Sequence, residues 1–172
     1  AEKVPTRVIL TAHGAAGHGS LPRPDNPVLR LSRAVARLAD SDQPVHVNSV
    51  TRRYLRELSR LPDFTWLAPM LPKLDNPALA GAVANQIRSR EPEIEAMLRT
   101  SVTPTMLRAS NKVNVIPNTA EAQLDVRRLP SETREEIVAR FRQTINDPSI
   151  DVTVAAAPGM PATEPSPLIT PL

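Results

Sequence analysis

From Glu121 to Arg127 apolar and polar side chains alternate without a break, Ala122, Leu124 and Val126 against Glu121, Gln123, Asp125 and Arg127. Successive side chains of a strand point to opposite faces, so this segment is a strand with one face in a core and the other in water. Arg7 to Ala12 is β-branched and apolar and reads as a strand running into a loop with glycines at 14, 17 and 19. Val102 to Ser110 is a further strand candidate, and Ile150, Val152 and Val154 alternate in a last one. Ile116-Pro117-Asn118-Thr119 has turn chemistry, which predicts a hairpin between two of these strands closing near Pro117 and Asn118.

Two helices fall between the strands. Val28, Leu31, Val35 and Leu38 recur at helical spacing behind an Asp25 or Asn26 cap, with Pro27 suited to the first turn. Ile137, Phe141 and Ile145 share one face of the other, which Ser131 is placed to cap and Asn146-Asp147-Pro148 to stop. The order strand, helix, strand, strand, helix, strand is the split βαβ arrangement. The expected class is α+β: a ferredoxin-like βαββαβ sandwich, a four-stranded antiparallel sheet with both helices on one face. Residues 41–101 carry further helical patterns, at Tyr54, Leu55, Leu58 and Leu61, at Leu79, Val83 and Ile87, and at Ile94, Met97 and Leu98, and form a helical insertion.

The 172 residues suit one such domain with an elaboration. Residues 1–6 and the proline-punctuated 158–172 read as linkers joining a domain over 7–157 to flanking sequence, so the chain is expected to be an excised domain. No apolar stretch nears the roughly 18 residues of a spanning helix, so no membrane partner is expected. The formal charge of +3 comes from basic residues interleaved with acids, and four aromatic side chains offer little for bases to stack on, so nucleic acid is not an expected partner either. Without cysteine there is no disulfide framework, thiolate metal site or cysteine nucleophile.

The three histidines, His13, His18 and His46, make no HxxxH, HxD or HExxH pattern, so no metal site is expected in the chain itself. Glu135-Glu136 reads as an exposed helix N-terminus, where acids are favoured. The glycines at 14, 17 and 19 do not form a dinucleotide fingerprint. What remains is His18, held between Gly17 and Gly19 and followed by Ser20-Leu21-Pro22, a histidine on a backbone freed by glycine and then fixed by proline. Asn114 and Arg127 are the polar residues of interest beyond it. Each has a plain structural alternative: an edge or turn hydrogen bond for Asn114, and an ion pair with Asp125 or Glu121 for Arg127.

Together GHGSLPRPDNPV at 17–28 and KVNVIPNTAEAQLDVR at 112–127, with the entry segment Ala1-Glu2-Lys3, resemble the dimerisation or lid domain of the metallopeptidase M-twenty family. That family includes aminoacylase, carboxypeptidase G, acetylornithine deacetylase and succinyl-diaminopimelate desuccinylase. The helical insertion, Thr51-Arg52 and Thr103-Pro104-Thr105-Met106-Leu107 look more like its carboxypeptidase S and N-fatty-acyl-amino-acid hydrolase branch. The resemblance implies a hydrolase of N-acyl amino acids or small peptides whose separate catalytic domain binds two zinc ions. The residue matching His18 would stabilise an oxyanion in the partner subunit's active site, as a catalytic residue, and those matching Asn114 and Arg127 would bind substrate. It also implies a homodimer formed through the lid. A hairpin closing at Pro117-Asn118 puts Asn114 and Arg127 about 20 Å apart along paired strands, which two lids related by a two-fold axis would accommodate. The competing expectation is a free-standing ferredoxin-like regulatory domain that binds a small ligand.

Overall fold

The structure is a computed structural model and describes residues 3–155, so the proline-rich stretch 158–172 lies outside the described residues. By contacts the chain divides into two units, Asp42–Ser101 in one and Val4–Ser41 with the described part of Val102–Gly159 in the other.

The second unit is built on β1 (Val4–His13) and β2 (Gly17–His18), then α1 (Pro27–Asp40). The chain enters the other unit there, through α2 (Ser49–Leu58), α3 (Pro77–Arg88) and α4 (Pro92–Ala96). It returns as β3 (Ser101–Arg108), β4 (Val115–Ile116), β5 (Thr119–Arg128), α5 (Arg134–Ile145) and β6 (Ile150–Val154). The four-stranded sheet has the order β3-β5-β1-β6, with β1 antiparallel to both neighbours, and β2 and β4 form a separate two-stranded ladder. This is the ferredoxin-like arrangement that the element order predicts.

One face of the sheet holds the core. Val8, Leu10 and Ala12 of β1, Ala122, Leu124 and Val126 of β5, and Ile150 and Val152 of β6 pack on Leu31, Ala34 and Leu38 of α1 and on Ile137, Phe141 and Ile145 of α5. Burial of this set supplies the main drive for folding of the unit, at about 25 cal/mol per Å² of apolar surface removed from water. The alternate positions, among them Arg7, Asp125, Arg127, Asp151 and Thr153, lie on the opposite face, which neither α1 nor α5 covers.

Four local expectations shift. The first strand starts at Val4, inside the 1–6 stretch read as linker, because Val4 is itself buried and pairs with Arg128. On α1 the buried stripe is Pro27, Leu31, Ala34 and Leu38, and Val28 faces outward. Thr133, not Ser131, caps α5. Its Oγ1 accepts the Glu136 amide at 3.2 Å while Glu136 Oε2 accepts the Thr133 amide at 2.7 Å. A cap at Ser131 would put Arg134, which has no acceptor, in the reciprocating position. The helix stops where expected, with Asn146 in the left-handed region at φ 48°.

The fourth shift touches the site. No tight hairpin closes at Pro117-Asn118. β3 ends at Arg108 and β5 starts at Thr119, and in the connection Val115 and Ile116 leave the main sheet to pair with Gly17 and His18. Pro117, with no amide hydrogen, breaks the ladder between β4 and β5.

In the helical unit prolines start elements rather than interrupt them: Pro77 and Pro92 open α3 and α4, and Pro62 and Pro72 stand in the first turns of two 3₁₀ segments, Pro62–Leu67 and Leu71–Asp75. Asn48 and Asn76 cap α2 and α3 through their side-chain oxygens. Leu55, Leu67, Val83, Ala84, Ile87 and Leu98 form the core of this unit. Beside it Arg99, 3% exposed, has Nη1 2.7 Å from Asp42 and donates through Nη2 to the Gly81 carbonyl at 2.9 Å.

Candidate functional site

The loop after β1 is fixed at its base by the backbone. The His13 amide donates to the Ser149 carbonyl at 3.1 Å and the Gly14 amide to Asn118 at 3.0 Å. Gly14 is required there, since a Cβ would collide with the Asp25 carbonyl oxygen and the Pro27 ring. The Asp25 carboxylate closes the loop from the other side. It receives Arg23 Nε at 2.9 Å and Nη2 at 3.1 Å, and the Ala15 amide at 3.3 Å. The bonded Arg23 guanidinium, helped by the Ala15 amide, lowers the Asp25 carboxyl to about 2.

His18 emerges from this frame on β2. It lies in register with Val115, and the Gly19 amide donates to the Asn114 carbonyl at 2.8 Å, so His18 and Asn114 are neighbours and both are exposed. The His18 ring is oriented by Ser20. The Ser20 amide lies 3.2 Å from Nδ1, and Ser20 Oγ lies 2.7 Å from the same nitrogen. A backbone amide can only donate, so Nδ1 is an acceptor and a neutral imidazole carries its proton on Nε2. The ring therefore presents an N–H donor on the side away from Ser20.

Arg127 is elsewhere. It lies near the far end of β5, in register with Pro5, eight strand positions from Thr119, or about 26 Å. Its Nε and Nη2 both donate to Asp125 Oδ2, at 3.1 Å each. Asn114 sits in the β3–β5 connection rather than on a strand paired with β5, so the paired-strand geometry from which its separation from Arg127 was anticipated is not the one found. Arg127 lines a depression of about 520 Å³ on the open face of the sheet together with Arg7, Thr105, Arg108, Gln123 and Asp125. A second depression, about 480 Å³, adjoins the His18 loop and is walled by Gly19, Pro22, Val28, Leu29, Val113 and Val115.

Sequence reasoning did not single out Ser20 or Arg7, and it offered Asp25 only as a cap for α1, a place that Asn26 takes by accepting the Val28 amide at 2.9 Å. Ser20 and Asp25 act through loop geometry that no periodicity reports. Arg7 acquires its place only from the β1–β5 register, which sets it opposite Asp125. Among the described residues no group of three or more His, Cys, Asp or Glu side chains is placed to hold a metal ion. The described residues thus do not fit a zinc site.

A family model described as "Peptidase dimerisation domain" matches residues 2–153. Among curated proteins, the probable carboxypeptidase S-like 2 of Dictyostelium discoideum is 28% identical over 155 residues, 88% of this chain and 28% of that protein. The N-fatty-acyl-amino acid synthase/hydrolase PM20D1 of Mus musculus is 30% identical over 153 residues, 89% of this chain and 30% of that protein. The chain thus spans under a third of the length of the relatives it matches. Among solved structures, human carnosine dipeptidase 1 superposes with a TM-score of 0.54 at 12% identity, covering 92% of this chain and 37% of the dipeptidase. The aminobenzoyl-glutamate utilization protein from Klebsiella pneumoniae does so with a TM-score of 0.53 at 14% identity, covering 97% and 31%. These likenesses show the fold.

Proposed function

The chain belongs to the peptidase dimerisation domain family, and on that premise we propose that it is the lid and dimerisation domain of a zinc-dependent amidohydrolase acting on N-acyl amino acids or small peptides. The observation that carries the reading is the β2–β4 ladder, which holds His18 against Asn114 with an Nε2 donor directed away from Ser20. The names of the relatives, a carboxypeptidase S-like protein and an N-fatty-acyl-amino acid synthase/hydrolase, support this substrate class. The two zinc ions and the general base are assigned to a catalytic domain outside these residues.

Within that reading His18 is the catalytic residue this chain supplies. When an amide carbonyl is attacked, charge accumulates on its oxygen, and an N–H aimed at that position stabilises the tetrahedral state more than the ground state. Asn114, beside it, adds an amide that can donate to substrate or accept from it. Arg127 offers a planar fork for the substrate carboxylate. Arg127 lies about 26 Å along β5 from Thr119, which pairs with His13 at the base of the His18 loop, a span that one small substrate does not bridge, so a complete site draws His18 and Arg127 from different subunits of a homodimer.

The edge of the sheet favours that dimer. β3 is a terminal strand, with Leu107 64% and Met106 39% exposed, and Leu29 on α1 is 41% exposed. An uncovered edge strand beside exposed apolar side chains is a template for pairing with its symmetry mate. The test is hydrolysis of a panel of N-acyl amino acids and dipeptides by the full-length protein, with light scattering on the same sample. The expected result is zinc-dependent activity from a dimer and none from the 172-residue chain alone. A full-length protein that is inactive toward the whole panel, or active as a monomer, overturns the reading.

A further inference from the structure

Three arginines, Arg7, Arg108 and Arg127, line the same depression as Asp125. Asp125 and Arg127, two apart on β5, share a face, and register sets Arg7 directly opposite Asp125 on β1. The ion pair within this group has a specific geometry. Arg127 uses Nε and Nη2, the inner edge of its guanidinium, and both donate to the single oxygen Oδ2 of Asp125. Two N–H donors converging on one oxygen fix the plane of the guanidinium. They leave its outer edge, Nη1–H and the second Nη2–H, which has the spacing of a carboxylate fork.

We propose that Asp125 is a positioning residue that holds Arg127 edge-on, so that the outer fork of its guanidinium receives the α-carboxylate of an N-acyl amino acid; this rests on the substrate role given to Arg127 above. Arg7 and Arg108 complete the device electrostatically. Asp125 neutralises one cation of three, and the two that remain keep the depression positive enough to attract an anion. With Asp125 43% and Arg127 52% exposed, the pair contributes little to folding, which leaves orientation as its use.

The experiment is steady-state kinetics on the full-length protein with an N-acyl amino acid and the matching N-acyl amino acid amide, which lacks the carboxylate. Asp125→Ala is expected to raise KM for the acid about tenfold with kcat unchanged, and to leave the amide unaffected. Asp125→Asn, which keeps an acceptor oxygen for the inner edge of Arg127, is expected to return KM to within about threefold of wild type. If Arg127→Ala raises KM for the acid and Asp125→Ala does not, or lowers it, Asp125 is no positioning residue and the inference falls alone. If Arg127→Ala leaves the preference for acid over amide intact, the substrate role of Arg127 falls and takes the inference with it.

Discussion

The Gly19 amide donates to the Asn114 carbonyl at 2.8 Å, and the backbone of Asn114 lies so close that a Cβ on Gly19 would meet its Cα and carbonyl carbon at 3.3 Å. This contact ties the His18 loop to the β3–β5 connection. It sets the distance between His18 and Asn114, which lie 96 positions apart in sequence but belong to one proposed site.

Gly19→Ala is therefore expected to push backbone against backbone. It should cost about 1–3 kcal/mol and lower activity by displacing His18. Gly17→Ala is the control. Its Cβ would meet only the flexible Arg23 side chain at 3.3 Å and Ile116 at 3.8 Å, so it should cost under about 1 kcal/mol. Urea unfolding of the two variants checks the order. Equal costs would contradict the close approach at Gly19.

Nitrogen-15 spectra of histidine-labelled protein should show the proton of the neutral His18 ring on Nε2. Ser20→Ala should keep that tautomer, because the Ser20 backbone amide, 3.2 Å from Nδ1, survives the substitution. A proton on Nδ1 would contradict the orientation proposed for His18.

The lowered Asp25 carboxyl predicts an acid transition of the loop. Its folded value, about 2, lies below the ordinary 3.8, so the Asp25 contacts with Arg23 and Ala15 are fully present above the ordinary value and are lost as pH falls through the folded one. The Ala15 amide resonance should follow a titration centred near 2, and Asp25→Asn should abolish it. A midpoint at 3.8 would show that the Arg23 contact does not hold in solution.

In the helical unit, Arg99, 3% exposed, lies 2.7 Å from Asp42 and 3.4 Å from Glu95, which is itself 7% exposed. Arg99→Ala strips a buried acid of one cation and should cost about 3 kcal/mol, below the upper end for such losses because Arg88 stays 2.7 Å from Glu95. Arg88→Ala, removing a cation 47% exposed, should cost less. Thermal or urea unfolding measures both.

What was legible in the sequence follows burial. Ala122, Leu124 and Val126 announce β5 because one face must leave water, and Ile137, Phe141 and Ile145 announce α5 for the same reason. The β2–β4 ladder was not legible. Two residues on each side carry no periodicity, and their pairing is decided by Pro117 and the close approach at Gly19. The Arg127 pair with Asp125 could be anticipated from their i, i+2 spacing on a strand. The edge-on geometry could not, because it depends on side-chain rotamers.

The central claim is that His18 donates to a developing oxyanion in the partner subunit, and kcat of full-length His18→Ala tests it most directly. The account predicts a loss of about two orders of magnitude or more with metal content and dimer unchanged. Full activity in that variant would contradict it and reduce the GHGS loop to a structural turn.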